Sequence, residues 1–490
     1  MRTRRSLPHL KLFRQTSKNH TNTIKTMKKQ LFCALAVAMT ANGWAQTNIT
    51  PEVLKTLEGS YTGTPTEKAL RNAISSVSIK QMAVNLDNTH TKDTHFSVEV
   101  KNTGISDQES SGRCWLFTGT NVLRQRAMKK LGIKNFFFSH VHLFFYDQLE
   151  KSNLFLQGII DTRKKDIDDE MVRWLFKNPL SDGGTYTGVA DLVKKYGLVP
   201  KDVMAETFVS NKTSEFCGHL KRKLREYGIQ LREKSQAGAG DKELQAMKVE
   251  QLKTVYRLLV MAYGEPPKEF TWAPMENGKA VSEPKTYTPQ AFYQEFCQEG
   301  EDLIEDYVML MNDPSRPYNQ VYEIDYDRHV YDGHNWLYVN LDIEDLKPLA
   351  IASLKDSTQM YFSCDVGKFL NSANGMLDLK NYDYESLLGT TFGMSKKQRI
   401  QTFDSGSSHA MTLMAVDLDK DGKPVKWKVE NSWGASSGHQ GYMIMTDEWF
   451  NEYMFRVVVN KKYCTPEVLE LLKKKPVRLP AWDPMFAGEE

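Results

Sequence analysis

Cysteine is scarce in this 490-residue chain: six are present, widely and irregularly spaced, with no CxxC pair. That spacing excludes a thioredoxin-like redox centre and leaves nothing from which to build a structural zinc site. Acidic residues are missing altogether from the first 45 positions, which hold nine Lys or Arg. Beyond them no segment reaches about 18 uninterrupted apolar residues, the length a membrane-spanning helix needs. Internal repeats, low-complexity tracts and Ser/Gly-rich linkers are lacking as well, so nothing divides the chain into independently tethered domains.

What is present is the composition of an ordinary soluble enzyme, 40% hydrophobic, 26% charged and 11% aromatic, in a chain long enough to bury one or two large cores. The net charge of +3 misleads, because after residue 45 the remaining 55 basic residues face 61 acidic ones, about −6. The body therefore offers no reason to expect a nucleic-acid partner or a stable membrane association. From Met27 the stretch MKKQLFCALAVAMTANGWAQ has a basic start, an apolar run over 31–41 and small residues at Gly43 and Ala45. This is the pattern of a secretory signal peptide. Residues 1–45 are expected to be a basic leader and signal peptide, and the protein is expected to be exported, periplasmic or secreted. Five cysteines then remain, so at least one thiol is free, and buried free thiols are the expectation for the other four.

Three blocks follow. Over 100–205 the pattern is helical: one helix spans 114–131 and stops at Gly132, and Ser139 caps a second over HVHLFFYDQLEKSN. A third, about 165–177, is closed by Pro179, and a fourth, about 187–196, by Gly197. The block 205–325 is charge-dense and reads as a helical insertion. The last block turns to strands: HAMTLMAVDLD from His409, the turn DKDG, then PVKWKVENSW, with Lys426 and Lys428 alternating against Val425, Trp427 and Val429. That is the grammar of a hairpin.

Two of these segments carry a chemistry. A thiol nucleophile needs an imidazole to take its proton, a group to orient that imidazole, and donors for the developing oxyanion. In QESSGRCWLF, Cys114 stands at a helix start, where unsatisfied N–H groups and the helix dipole favour a thiolate. Gln108, six residues earlier, can set its amide beside the Cys114 N–H to hold one oxygen. His409 opens a strand, as suits a base held on a rigid element. Asn431, at the end of the partner strand in ENSWG, can accept from one ring nitrogen and leave the other facing Cys114, with Trp433 as a shield.

The sequence here resembles the papain superfamily of cysteine peptidases, and within it the bleomycin hydrolase and aminopeptidase C branch. The resemblance runs over nearly all of 100–490. It rests on QESSGRCWLF and ENSWG together with HLFFYDQLEKSN, SDGGTYTGVADLVKKYGLVP, FSCDVGKF and LPAWDPM, in that branch's order. The 295 residues from Cys114 to His409 are roughly twice the separation of plain papains, which the insertion explains. The resemblance implies an α+β fold, papain-like, with a helical subdomain, a β-barrel-like subdomain and the helical insertion, over a peptidase unit spanning 46–490. It implies a homo-hexameric ring, peptide substrates and no cofactor or metal. It further implies that a C-terminal arm, 476–490, turns towards the active site, where the carboxylate of Glu490 meets the substrate's free amine. Gly183 and Gly184 match the glycine pair along which substrate backbone binds. The ending DPMFAGEE is longer and more acidic than is usual in the branch, many members of which are cytoplasmic. An endopeptidase with an ungated cleft is the alternative within the same chemistry, and a non-catalytic ring-forming protein the alternative outside it.

The remaining histidines, including His140, His142, His219, His334 and His439, have no such context and read as structural. The aromatic cluster Phe136, Phe137, Phe138, Phe144 and Phe145 reads as core, and DKDG lacks the further ligands of a calcium loop.

Overall fold

The computed structural model describes residues 48–88, 93–101 and 104–485; the leader 1–45 and Glu490 lie outside them. The described residues divide into two compact units, one up to Ile79 and one from Lys80 onward. The first unit contributes α1 (Pro51–Ser60) and α2 (Pro65–Ile74), each started by a capping threonine followed by proline. Proline is tolerated there because the first helical N–H needs no partner. Thr64 and Glu67 add a reciprocal capping box.

The second unit opens its helical half with α3 (Cys114–Leu131), α4 (His140–Asp161), α5 (Glu170–Lys177) and α6 (Tyr186–Tyr196). Gly132, at φ 69°, ends α3 in the left-handed conformation expected of it. Ser139 accepts from the His142 N–H at the start of α4. That helix continues past Asn153 because Leu154, Phe155, Leu156, Ile159 and Ile160 extend its buried stripe. The start of α5 falls later than the spacing predicts, since Asp169 caps it by accepting from Met171 and Val172. Two long helices follow, α7 (Thr213–Gln236) and α8 (Asp241–Tyr263). Leu220, Leu224, Tyr227 and Leu231 bury one face of α7, which leaves most of its basic run on the outer face, while Arg232 is buried and donates to the Thr162 and Lys165 carbonyls.

Past Tyr263 the block 205–325 holds one more helix, Pro289–Phe296, among short strands, and its last part joins the main sheet. Strands β1 (Tyr307–Met311) and β2 (Gln320–Ile324) both belong to the main sheet. In YVMLM every residue but the first is buried. A strand covered on both faces shows no alternation, so periodicity cannot separate it from a buried helix.

The sheet also contains β3 (Leu337–Asn340), β4 (Met360–Cys364), β5 (His409–Leu418), β6 (Pro424–Glu430), β7 (Tyr442–Thr446), β8 (Met454–Asn460) and β9 (Val477–Leu479). Its central order is β7-β6-β5-β4-β8-β1-β3-β2-β9. The β5–β6 turn is DKDG, with Gly422 at φ 78° donating to the Asp419 carbonyl. Trp427 and Val429 face the core, but Val425 is exposed and Lys426 buried, because Asp93 meets the Lys426 ammonium at 2.6 Å.

Two hydrophobic cores result. One gathers Trp115, Leu116, Leu156, Val189 and Tyr263, the other Leu413, Trp427, Val429, Phe450 and Val457. Cys114 packs against the first and Trp433 against the second. An ion pair buried at both ends ties the halves together: Arg124 of α3 reaches Glu430 of β6 at 2.8 Å, and Asn121 donates to the same carboxylate. Losing one partner of such a pair strands a buried charge, typically at about 3–5 kcal/mol. The residue after Glu430 is Asn431.

Candidate active site

Residues 106–108 run antiparallel to 432–434: the Gln108 N–H donates to the Ser432 carbonyl at 2.8 Å, and the Gly434 N–H to the Ser106 carbonyl. Gln108 is thereby placed beside Asn431. Its side-chain Oε1 accepts from the Ser432 hydroxyl at 2.6 Å and its Nε2 donates to the Ser111 carbonyl at 2.6 Å. One amide hydrogen remains for a substrate oxygen. The turn that follows is tight, with Glu109 at φ 53°. Arg113, fully buried, holds it from beneath by pairing with Glu206 at 2.7 Å and donating to the Ser111 hydroxyl.

Cys114 then begins α3 and is only partly buried. The backbone N–H groups of Ala410, Trp115 and Cys114 itself face its sulfur, so the thiol lies against the first residues of β5. His409 opens β5, and its Nε2 lies 2.8 Å from Asn431 Oδ1. Because that oxygen only accepts, Nε2 carries the hydrogen and Nδ1 is left as the acceptor of the ring. Trp433 covers the imidazole, ring centroids 4.8 Å apart. Asn431 Oδ1 also accepts from the Ser432 N–H at 2.8 Å, which fixes its amide orientation.

The glycine pair joins the same site through Asp182. Its carboxylate accepts from the Gly112 N–H at 2.8 Å, and its carbonyl from the Trp115 indole at 2.8 Å. Gly112 is needed for that approach, since a Cβ would stand 2.6 Å from the Asp182 carboxylate. A Cβ at Gly184 would stand 2.2 Å from the His329 ring and 2.8 Å from that of Trp115. Gly183 and Gly184 line a cavity of about 870 Å³, together with Trp174, Tyr326, Phe403 and Trp482.

Cys114, Gln108, His409, Asn431 and the glycine pair are thus brought together, while Glu490 lies outside the described residues. Asp182, Ser432, Arg113 and His329 were not singled out from sequence. Asp182 and Ser432 stand inside SDGG and ENSWG, where a search for partners of the named residues would find them. His329 sits in a stretch without pattern. His140 and His142 are buried at the start of α4, His140 stacked on Phe117 at 3.6 Å.

The ionisation differs from the reading of Cys114 as a helix-start thiolate. Burial pushes its thiol up to about 11, and the N–H groups around the sulfur act against that without outweighing it. Burial likewise pushes His409 down to about 4, against the Asn431 bond, which raises it. Each charge alone is costly here. A proton passed from Cys114 to His409 creates two opposite charges side by side, whose attraction in a low dielectric offsets both costs. The arrangement can thus generate a thiolate on demand, with Gln108 and the Cys114 N–H available to an oxyanion.

Two outcomes follow from this geometry. Asn431→Ala removes a bond that strengthens as His409 becomes charged, worth about 1.5–3 kcal/mol, and should lower kcat/KM about 10- to 100-fold without abolishing it. A loss as large as that from removing Cys114 would refute the orienting role. The pH profile should show its acid limb near pH 4, because a protonated His409 cannot accept the thiol proton and kcat/KM falls as the pH drops through that value. Activity already declining at pH 6.5 in a folded sample would contradict it.

Comparison with known proteins agrees with the geometry. The Peptidase C1-like family model matches residues 48–486. The chain is 40% identical over 394 residues to bleomycin hydrolase of Homo sapiens, covering 79% of this chain and 86% of the relative. It is 34% identical over 442 residues to aminopeptidase C of Listeria monocytogenes, covering 90% and 99%. The crystal structure of PepW from Lactobacillus rhamnosis is similar with a TM-score of 0.85 at 36% identity, over 90% of this chain and 99% of that one. Fold and site define a cysteine peptidase of papain-like architecture. This chain belongs to the Peptidase C1-like family.

Proposed function

We propose that this peptidase acts as an aminopeptidase, with Cys114 as nucleophile, His409 as base, Asn431 orienting the base, and Gln108 with the Cys114 N–H holding the oxyanion. Attack of Cys114 Sγ on the first peptide carbonyl gives a thioester and releases the shortened peptide as amine, protonated by His409. Water activated by His409 then frees the amino acid and restores the thiol.

The course of the C-terminal arm as far as Met485 is the observation that supports amino-end specificity. Strand β9 runs parallel to β2. Beyond it Asp483, buried, is held by Arg316 at 2.9 Å, and Arg456 donates to the carbonyl of buried Met485 at 3.0 Å. Arg456 pairs in register with Ser363 of β4, the residue next to Cys364, which itself lies opposite His409. Trp482 joins Gly183 and Gly184 in lining the cavity. These contacts support an arm directed into the cleft, where the terminal carboxylate of Glu490 receives the substrate's ammonium group.

The test compares a fluorogenic aminoacyl amide with its N-acetylated twin, using protein that starts at Gln46. Cleavage of the free-amine form alone, declining as the amine loses its proton above about pH 8, supports the reading. Equal cleavage of both makes the protein an endopeptidase. On the same resemblance we propose a hexameric ring, tested by sedimentation. We also propose export through the signal in residues 1–45, which lie outside the described residues; the amino terminus of the mature protein tests it.

A further inference from the structure

Residues 181–185 belong to no helix or strand, yet their backbone is held by side chains at several points. Lys151 of α4 donates to the carbonyls of Ser181 at 3.1 Å and Gly183 at 2.6 Å, and meets Asp147 at 3.0 Å. All three ammonium hydrogens are used. The other Asp147 oxygen lies 2.6 Å from His329 Nδ1, and His329 Nε2 accepts from the Thr185 N–H at 3.4 Å. Since Nε2 accepts, Nδ1 carries the proton: the imidazole is neutral and its tautomer is set by Asp147. Gln148 donates both to Asp147 and to the Ser181 carbonyl.

This trio is buried, Asp147 at 0%, His329 at 3% and Lys151 at 9% exposure. The His329 ring occupies the space beside Gly184 and Gly188, where a Cβ would come within 2.2 and 2.3 Å. Small residues at these positions are therefore required by the ring as well as by any substrate. The N–H and C=O of Gly184 make no bond to any described residue. Among the described residues nothing occupies either, and an extended peptide needs just such a donor and acceptor at one residue.

We infer that Asp147, Lys151 and His329 are positioning residues: a buried clamp that holds Gly184 in register with the substrate backbone and takes no part in activating Cys114. The inference rests on the peptidase reading above. Its strength is geometric, because a displacement of about 1 Å in a bound substrate can cost about 100-fold in rate.

The test uses Lys151→Met and the charge-neutral pair Asp147→Asn with Lys151→Met, which leaves no lone buried charge behind. Two quantities are read on each: kcat/KM on a fluorogenic peptide, and the rate at which iodoacetamide alkylates Cys114, a reaction that needs no backbone pairing. Peptide kcat/KM should fall about tenfold or more while alkylation stays within about twofold of the parent. His329→Gln, still able to accept from Thr185, should retain more peptide activity than His329→Ala. Wild-type kcat/KM in both Lys151 variants would overturn the proposal. So would alkylation falling in step with turnover, which would place the trio on the nucleophile. The unmodified protein's preference between free-amine and acetylated substrates tests the aminopeptidase reading separately, because the clamp acts on either substrate.

Discussion

Replacing Cys114 by alanine is expected to lower peptide turnover by about 10⁴-fold or more while thermal unfolding shifts by only a degree or two. On the proposed mechanism the reaction loses its covalent intermediate. The stability cost should be small because Cys114 is partly exposed to the cleft and only one sulfur atom is removed from an α3 that keeps its Arg124–Glu430 tie. Removing a thiol that burial disfavours as an anion also leaves no charge stranded. Cys297, fully buried in the helical core, provides the contrast. Its replacement by serine should lower the melting temperature with kcat/KM nearly unchanged, since it buries an unsatisfied hydroxyl far from any catalytic partner. If the Cys114 variant lost stability and activity together, the nucleophile assignment would fail.

A chain ended at Met485 is expected to cleave N-acetylated peptides, with the ratio of acetylated to free-amine kcat/KM rising about 100-fold. The anchors survive: Asp483 keeps Arg316, and the new terminal carboxylate lies beside Arg456. What is removed is the proposed partner of the substrate's ammonium group. A charge-assisted contact of this kind is worth about 1.5–3 kcal/mol, which is one to two decades in kcat/KM. The free-amine substrate should lose activity while the acetylated one gains it, because on the proposed reading one segment both holds the amine and blocks longer peptides. An unchanged ratio would remove the arm from the mechanism and leave the cleft selective for some other reason.

Cys114, His409, Asn431 and Gln108, the residues proposed as nucleophile, base, orienting amide and oxyanion donor, were legible as candidates because each is announced by its own neighbours. Cys114 begins a helix whose stop at Gly132 is written a few turns on, and His409 and Asn431 are the two ends of one hairpin. The boundaries that shifted did so where burial replaces periodicity. β1 and β2 hid inside a block that reads as helical, and Lys426 turned inward because Asp93, over three hundred residues earlier, was there to meet it. Asp147 and Lys151, four residues apart on α4, have the spacing of a solvated ion pair, yet both are buried and serve the loop at Gly184.

From sequence alone came the helix starts and stops, the hairpin, the order of the motifs and through them the chemistry, since each depends on residues a few positions apart. Tertiary structure decided the partners of buried charges, the place of His329 and the ionisation of Cys114 and His409. Desolvation and Coulomb attraction depend on what lies within a few ångströms in space, and for these groups that is mostly supplied by distant parts of the chain.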